Sequence, residues 1–138
     1  MVKIKIAIIG SMSFFEEMKK LKFDLEKKGF EVELPFFDKT ANYKIWDTNE
    51  AIRVKLKHDI LKENNKFMIR NDFVLVFNKF EKNKIKSYIG GNTLLEMGFA
   101  YVAGKKIFLF SKIPSCSYES EIVAMKPLIL NGDLDLIK

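Results

Sequence analysis

The sequence has very few of the residues that build disulfide bonds or metal sites. Its 138 residues include one cysteine, Cys116, and one histidine, His58. A single cysteine excludes an internal disulfide and a cysteine-rich metal site, and a single histidine argues against a histidine-based metal site. We therefore expect no metal ion, no cofactor and a reducing, cytoplasmic location.

Long apolar runs and nucleic-acid recognition motifs are also missing. No run approaches the length of a membrane span, and the N-terminal MVKIKIAIIG has the pattern of a strand rather than of a signal peptide, so we expect no membrane partner. The formal net charge is +6, but the lysines are interleaved with glutamates and no aromatic-and-basic motif accompanies them. We therefore expect no nucleic-acid polymer as a partner. A mild positive field would still attract a phosphorylated small molecule.

Strand patterns alternate with helix patterns along the whole chain. The predicted strands are Ile4–Ile9, GFEVELP, DFVLVFN, KKIFLFS and Leu134–Ile137. The first predicted helix begins at a Ser13–Glu16 capping box and ends at Gly29, and the second runs unbroken from Asp47 or Thr48 to about Ile69. The third runs from GGNT to near Gly104, and the fourth covers Ser117–Met125.

This alternation predicts the fold class. Nearly continuous apolar strands separated by helices are typical of a parallel sheet that is covered on both faces. We predict a single domain over residues 1–138 with an α/β, flavodoxin-like (Rossmann-like) fold, which is a doubly wound, five-stranded parallel sheet with helices on both faces. Ligands of such sheets bind beyond the carboxyl ends of the strands, where the strand order reverses.

Glu96 lies at this predicted edge, in the first turns of the helix that follows GGNT. One interpretation is a solvated glutamate favoured by the helix dipole. However, Glu96 stands in the apolar sequence LLEMGF, and a carboxylate in apolar surroundings is costly unless it is paired or takes part in chemistry. We therefore treat Glu96 as a candidate catalytic residue.

The pattern IAIIGSMSF…GFEVELP…NDFVLVFN…YIGGNTLLEMGFAYVAGKKIFLF resembles the nucleoside 2-deoxyribosyltransferase family, which includes the 2′-deoxynucleoside 5′-phosphate N-hydrolases. The resemblance covers nearly the whole chain. Its most specific part is the Gly-rich turn followed by Glu96, Gly98 and Ala100. The resemblance implies that Glu96 is a nucleophile that attacks the anomeric carbon of the sugar, which is a role that a carboxylate can perform in glycosyl transfer.

The same resemblance implies which residues bind the substrate. The loop Gly10, Ser11, Met12 and Ser13 would hold the sugar or its 5′ substituent, although a plain strand-to-helix turn is the alternative. Gly90 and Gly91 would let a ligand approach the backbone closely. Tyr88 and Asn92 are further candidate contacts, and loop packing or helix capping is the alternative for each.

The chain lacks an aspartate and a tyrosine that the family usually has. Asn64 occupies the position where the family usually has an aspartate, and the usual tyrosine near the end of the first strand is absent. In an unbroken second helix, which rises about 1.5 Å per residue, Asp59 would reach the carboxyl edge of the third strand. Asp59 and Asn64 are therefore both candidate catalytic residues, and the alternative for Asp59 is a solvated surface residue.

Taken together, the predicted function is cleavage or transfer of the N-glycosidic bond of a (deoxy)nucleoside or nucleoside 5′-monophosphate. The alternatives are a catalytically weak or inactive nucleotide-binding module of the same fold and a flavodoxin that binds FMN. Family resemblance and the apolar helix Leu94–Val102 predict a homodimer, with Ser115–Tyr118 reaching toward the partner's site. Trp46, Phe36 and Phe37 are expected to shield the edge of the core, with base stacking as the alternative.

Overall fold

The structure is a computed structural model that describes residues 2–43 and 47–138. Trp46 therefore lies outside the described residues. The strands are β1 (Lys5–Ile9), β2 (Glu31–Glu33), β3 (Phe73–Val76), β4 (Lys106–Leu109) and β5 (Leu128–Ile129). The helices are α1 (Phe15–Lys27), α2 (Thr48–His58), α3 (Ile60–Ile69), α4 (Gly91–Val102) and α5 (Glu119–Ala124).

The described strands form one parallel sheet. Their order is β2-β1-β3-β4-β5, and every neighbouring pair is parallel. This is the flavodoxin-like order, in which the strand order reverses between β1 and β3. The predicted doubly wound fold is confirmed, and the crevice expected to bind ligands lies beyond the carboxyl ends of these two strands.

Alternating side chains of each strand enter two separate cores. From β1, Ile6 and Ile8 pack with the helix α1 side chains Met18 and Leu25 on one face of the sheet. Ala7 and Ile9 point to the other face, where residues of α3, α4 and α5 cover the sheet. Successive side chains of a strand point to opposite faces, so a strand that is apolar throughout must be covered on both sides.

Two sequence predictions about the elements are wrong. The long second helix is broken at Asp59, whose backbone is left-handed (φ 47°, ψ 54°) and ends α2 before α3 begins. The last strand is Leu128–Ile129 rather than Leu134–Ile137. Leu134–Leu136 instead form a 3₁₀ turn, because the Asp133 side chain accepts a hydrogen bond from the Asp135 amide at the start of that turn.

The predicted capping box at Ser13 is also wrong. Ser13 lies within a 3₁₀ turn, Met12–Phe14, that precedes α1, and the N-cap of α1 is Phe14, which makes no side-chain cap hydrogen bond. The Ser13 hydroxyl is instead directed toward other loops, as described below. Among residues 2–43 and 47–138, no helix combines the length and the apolar character that a membrane span requires.

Candidate functional site

A cavity of about 200 Å³ opens at the reversal point of the sheet. The loop that follows β1, the loop that precedes α4 and the first turn of α4 form most of its wall. Its lining residues are Gly10, Ser11, Met12, Ser13, Tyr43, Lys55, Lys82, Tyr88, Gly90, Gly91, Asn92 and Thr93. The structure thus brings together all eight residues that the sequence predicted to bind substrate.

The loop after β1 must begin with glycine. A Cβ atom on Gly10 would lie 2.9 Å from the backbone oxygen of Phe77 at the end of β3, which is too close for any other residue. This close approach of the loop to the end of β3 places the Ser11 and Ser13 side chains in the cavity wall. Lys82, in the loop between β3 and α4, donates hydrogen bonds to both hydroxyls, at 3.1 Å to Ser11 Oγ and 2.7 Å to Ser13 Oγ.

Tight packing also explains the glycine before α4. A Cβ atom on Gly90 would lie 2.9 Å from the Tyr88 hydroxyl, so the ring of Tyr88 can lie in the cavity wall only because residue 90 has no side chain. The Tyr118 hydroxyl donates a hydrogen bond to the carbonyl of Ile89 and holds this loop from the opposite side. The start of α4 therefore faces the cavity.

Glu96 lies one turn deeper along α4, and its side chain is only 3% exposed. The interpretation of Glu96 as a solvated first-turn residue is therefore wrong. It lines a smaller neighbouring cavity of about 50 Å³, whose wall includes Gly10, Lys55 and Asn92 from the first cavity. The carboxylate is thus buried in the wall of an opening rather than in the packed core.

Asn92 links Glu96 to two other polar side chains. Its amide nitrogen donates to Glu96 Oε1 at 3.3 Å. Its amide oxygen accepts hydrogen bonds from Lys55 Nζ at 3.0 Å and from Asn64 Nδ2 at 3.2 Å. The network joins α2, α3 and α4 at the cavity wall. Asn64, one of the predicted catalytic residues, therefore contacts Glu96 only through Asn92.

The charged groups of this wall are desolvated, Glu96 almost fully and the two lysines in part. Burial raises the pKa of Glu96 to about 8, and the nearby Lys55 ammonium opposes that rise. Burial also lowers the pKa of Lys55, against the attraction of Glu96, and lowers the pKa of Lys82. Desolvation favours the neutral form of an acid and of a base alike. Each of these groups is therefore closer to exchanging its proton near neutral pH than a surface residue would be.

A second buried carboxylate, Asp38, holds the loop that covers the cavity. It accepts hydrogen bonds from the Thr40 amide at 2.8 Å, the Thr40 hydroxyl at 2.6 Å and His58 Nε2 at 2.8 Å. The Asp38 amide donates to the Tyr43 hydroxyl at 3.1 Å. Because Tyr43 lines the cavity and its carbonyl accepts a hydrogen bond from Ser13, the Asp38 cluster shapes the wall opposite α4.

One predicted catalytic residue does not join this group. The side chain of Asp59 is 62% exposed and faces Lys62 at 3.6 Å. The prediction assumed an unbroken helix, and the left-handed break at Asp59 itself turns this side chain to the surface. Sequence reasoning instead missed Lys55, Lys82 and Tyr43. Nothing in the sequence distinguishes these two lysines within the total of 24 lysine and arginine residues.

Phe36, Phe37 and the single cysteine lie outside the polar network around Glu96. The ring of Phe36 is 53% exposed, packs at 4.6 Å from the His58 ring and lines the smaller cavity beside Glu96. Phe37 stacks at 4.5 Å on Phe15. Cys116 packs against the core beside α4 and α5. Within the described residues, no group of three histidine, cysteine, aspartate or glutamate side chains is arranged to hold a metal ion.

Comparison with known proteins identifies the fold. No protein-family model matches the sequence, and no curated protein matches it significantly. Among solved structures, the chain is similar to the Clostridium botulinum CMP N-glycosidase BcmB, with a TM-score of 0.50. The two chains are 16% identical, and the match covers 91% of this chain and 84% of the other. At this level of identity, the similarity shows a shared α/β Rossmann-like fold.

Proposed function

We propose that this protein is a member of the nucleoside 2-deoxyribosyltransferase family and cleaves the N-glycosidic bond of a nucleoside 5′-monophosphate. The observation that carries the proposal is Glu96, a buried carboxylate in the cavity wall at the reversal point of the sheet. It accepts a hydrogen bond of 3.3 Å from Asn92. A buried titratable group in a cleft, with its pKa displaced toward neutrality, is typical of a catalytic site.

The cation at the other end of the cavity supports a phosphorylated substrate. Lys82 uses two of its three N–H groups on Ser11 and Ser13, and among the described residues no carboxylate pairs with it. Its third N–H and the hydroxyl hydrogen of Ser11 would bind phosphate oxygens, together with the free amides at the start of α4. The structural neighbour BcmB is described as an N-glycosidase of CMP, which is also a 5′-monophosphate.

In the proposed reaction, the ionised Glu96 attacks C1′ of the bound nucleotide. A bond forms between a Glu96 oxygen and C1′ while the bond between C1′ and the base nitrogen breaks, and its electron pair moves to the base. The transition state carries positive charge on the sugar, which an adjacent carboxylate stabilises. A water molecule then attacks C1′ and releases Glu96, or a second base does so and the reaction becomes a transfer.

Release of free base from a panel of substrates tests this proposal. The panel contains ribo- and deoxyribonucleosides of the common bases and their 5′-monophosphates, with base release followed by liquid chromatography. We expect release from at least one monophosphate by the wild-type protein and none by Glu96→Gln. Glu121→Gln, which changes an exposed glutamate of α5, is the matched control and should retain activity. Failure of every substrate to release base would contradict the proposal.

Binding measurements on the same panel separate a catalyst from a binding module. A nucleotide that raises the melting temperature of the protein without releasing base would favour the nucleotide-binding alternative. Adding a second free base during turnover and looking for a new nucleotide distinguishes transfer from hydrolysis. A protein that neither binds nor cleaves any member of the panel would contradict both functions.

We further propose a homodimer in which α4 lies near the two-fold axis. Leu95 and Val102 are seven residues apart on one face of α4 and are 48% and 86% exposed. Light scattering should give twice the chain mass, and Leu95→Glu should shift the protein toward a monomer. A monomeric wild-type protein at micromolar concentration would contradict the dimer. Tyr118, expected to reach toward the partner's site, donates a hydrogen bond to the Ile89 carbonyl of its own chain.

A further inference from the structure

The proposed reaction needs a proton for the departing base. When the bond between C1′ and nitrogen breaks, the base leaves as an anion unless an acid protonates it. Glycosidases commonly use a second carboxylic acid for this step. Among the described residues that line the two cavities around Glu96, Glu96 is the only carboxylate. Asp59 is exposed, and the carboxylate of Asp38 is held by hydrogen bonds from Thr40 and His58.

Lys55 has the position and the protons that this role requires. It lies in α2, next to the buried Val54, and it lines both cavities. Its Nζ atom donates to Asn92 Oδ1 at 3.0 Å, and Asn92 in turn donates to Glu96 Oε1 at 3.3 Å. An ammonium group has three N–H donors, and this hydrogen bond uses one of them. The ammonium is thus held beside Glu96 with protons left for a substrate.

We propose that Lys55 is the general acid that protonates the leaving base, an inference that rests on the proposed N-glycosidic cleavage. As the bond to C1′ breaks, a proton passes from Lys55 Nζ to an acceptor atom of the base, which leaves as a neutral molecule. Lys55 becomes a neutral amine and Glu96 becomes esterified to the sugar. Lys55 then takes a proton from the attacking water, whose oxygen bonds to C1′ and restores the Glu96 carboxylate.

The surroundings of Lys55 favour proton transfer over a purely structural role. Burial lowers the pKa of Lys55, while the charge of Glu96 limits that decrease. A general acid is most effective when its pKa lies near the working pH, and a desolvated lysine approaches that range more closely than an exposed one. The amides of Asn92 and Asn64 share the network with Lys55 but have no titratable proton.

Substrates with different leaving groups test the inference. The first is the neutral-base 5′-monophosphate that the wild-type protein cleaves fastest. The second is a 5′-monophosphate with a cationic base, nicotinamide mononucleotide or 7-methylguanosine 5′-monophosphate, whose base leaves as a neutral molecule without a proton from the protein. Lys55→Met should lower kcat/KM about 100-fold or more on the first and less than about 5-fold on the second. Glu96→Gln should lower both.

Controls separate this inference from the proposed function. Lys57→Met, an exposed lysine of the same helix, should leave both rates unchanged. Equal losses on both substrates in Lys55→Met, or no loss on the neutral base, would overturn the role of Lys55 while leaving the proposed cleavage intact. If the wild-type protein cleaves neither substrate, the proposed function fails and the inference fails with it.

If the wild-type protein cleaves the neutral-base nucleotide but not the cationic one, the pH dependence of kcat/KM tests the inference. In Lys82→Met, which lacks the other titrating lysine of the cavity, kcat/KM should fall at high pH as Lys55 loses its proton, and this fall should be absent when Lys55→Met is added. The charged groups that face Lys55 are Glu96 of α4 and, across the larger cavity, Lys82. Lys82→Met should keep the basic limb. A basic limb that persists in the Lys55→Met and Lys82→Met double variant would overturn the inference.

Discussion

Asp38 and Glu96 are both buried carboxylates, with 5% and 3% of their surface exposed, but their environments differ. Asp38 accepts three hydrogen bonds of 2.6 to 2.8 Å from Thr40 and His58. Those bonds hold its pKa below the usual range. Glu96 accepts a bond of 3.3 Å from Asn92, and burial raises its pKa to about 8.

The difference shows how the same chemical group acquires two roles. A carboxylate saturated with donors is stable as an anion and fixes the chain around it; Asp38 accordingly holds the loop that places Tyr43 in the cavity wall. A carboxylate with few donors is a stronger base and retains lone pairs for a reacting atom. We therefore expect Asp38 to determine the shape of the site and Glu96 to perform its chemistry.

Replacing Glu96 should have the largest effect. Glu96→Gln keeps the size of the side chain but removes the nucleophile, so we expect kcat for base release to fall about 1,000-fold or more. The melting temperature should not fall, because the neutral amide needs less solvation than the carboxylate. Base-release assays and thermal unfolding of the same samples check this. A variant that keeps more than a tenth of the wild-type rate would contradict the assigned role.

Replacing Lys82 extends the comparison to a partly buried cation. Lys82→Met should remove a charged donor from the phosphate end of the cavity and raise KM for a 5′-monophosphate about 10- to 100-fold. The corresponding nucleoside lacks the phosphate, so its KM should hardly change. Steady-state kinetics on both substrates measure the effect, with the exposed Lys62→Met as the control. Equal changes for nucleotide and nucleoside would show that Lys82 does not bind phosphate.

The stability of the protein should depend on pH through Glu96. Its pKa in the folded protein, about 8, is above the ordinary value of 4.5, so the folded state binds more protons between these values. This contribution to stability is therefore complete below pH 4.5 and is lost as pH rises toward 8, at up to about 1.4 kcal/mol per pH unit. Asp38, whose pKa is lowered from 3.8, loses its contribution only at acidic pH.

Denaturant unfolding at several pH values between 5 and 8 measures this dependence. The wild-type protein should lose stability with rising pH relative to Glu96→Gln, which has no proton to exchange at this position. Parallel curves for the two proteins over the whole range would contradict the raised pKa of Glu96.

Replacing Asp38 should have the smallest effect on chemistry and a modest effect on folding. Asp38→Asn keeps the shape of the side chain but removes the negative charge of the group that accepts hydrogen bonds from Thr40 and His58. We expect a decrease in melting temperature of roughly 5 °C and a less than about 10-fold loss of kcat. A loss of activity as large as that of Glu96→Gln would show that Asp38 also takes part in the reaction.

The sequence was sufficient to predict the strands that fill the core. Each of β1, β3 and β4 is a nearly continuous apolar run, and such runs require a sheet covered on both faces. The edge strand β5 was misplaced because Leu128–Ile129 is only two residues long and exposed. The break at Asp59 was missed because it depends on a single left-handed residue between two helical patterns, and an aspartate can adopt this conformation without any glycine as a signal.

The candidate site was predictable only where the chain itself is unusual. Glu96 stands out as a charge in an apolar stretch, and the glycines mark close approaches of the backbone. Asp38 contacts His58 from 20 positions away, and Lys82 contacts Ser11 from 71 positions away. Such contacts depend on tertiary packing between loops, for which local periodicity gives no signal. The distant contacts, His58 with Asp38 and Lys82 with Ser11, could therefore be found only in the structure.

The most direct test of the central claim is to trap the sugar on Glu96. A fluorine at C2′ of the nucleotide destabilises the positively charged transition state and slows both steps, so a glycosyl-enzyme can accumulate. Mass spectrometry of the wild-type protein with the 2′-fluorinated analogue of its best monophosphate should show one added sugar phosphate on the peptide that contains Glu96, and Glu96→Gln should show none. Base release without an adduct, or an adduct on another residue, would contradict the account.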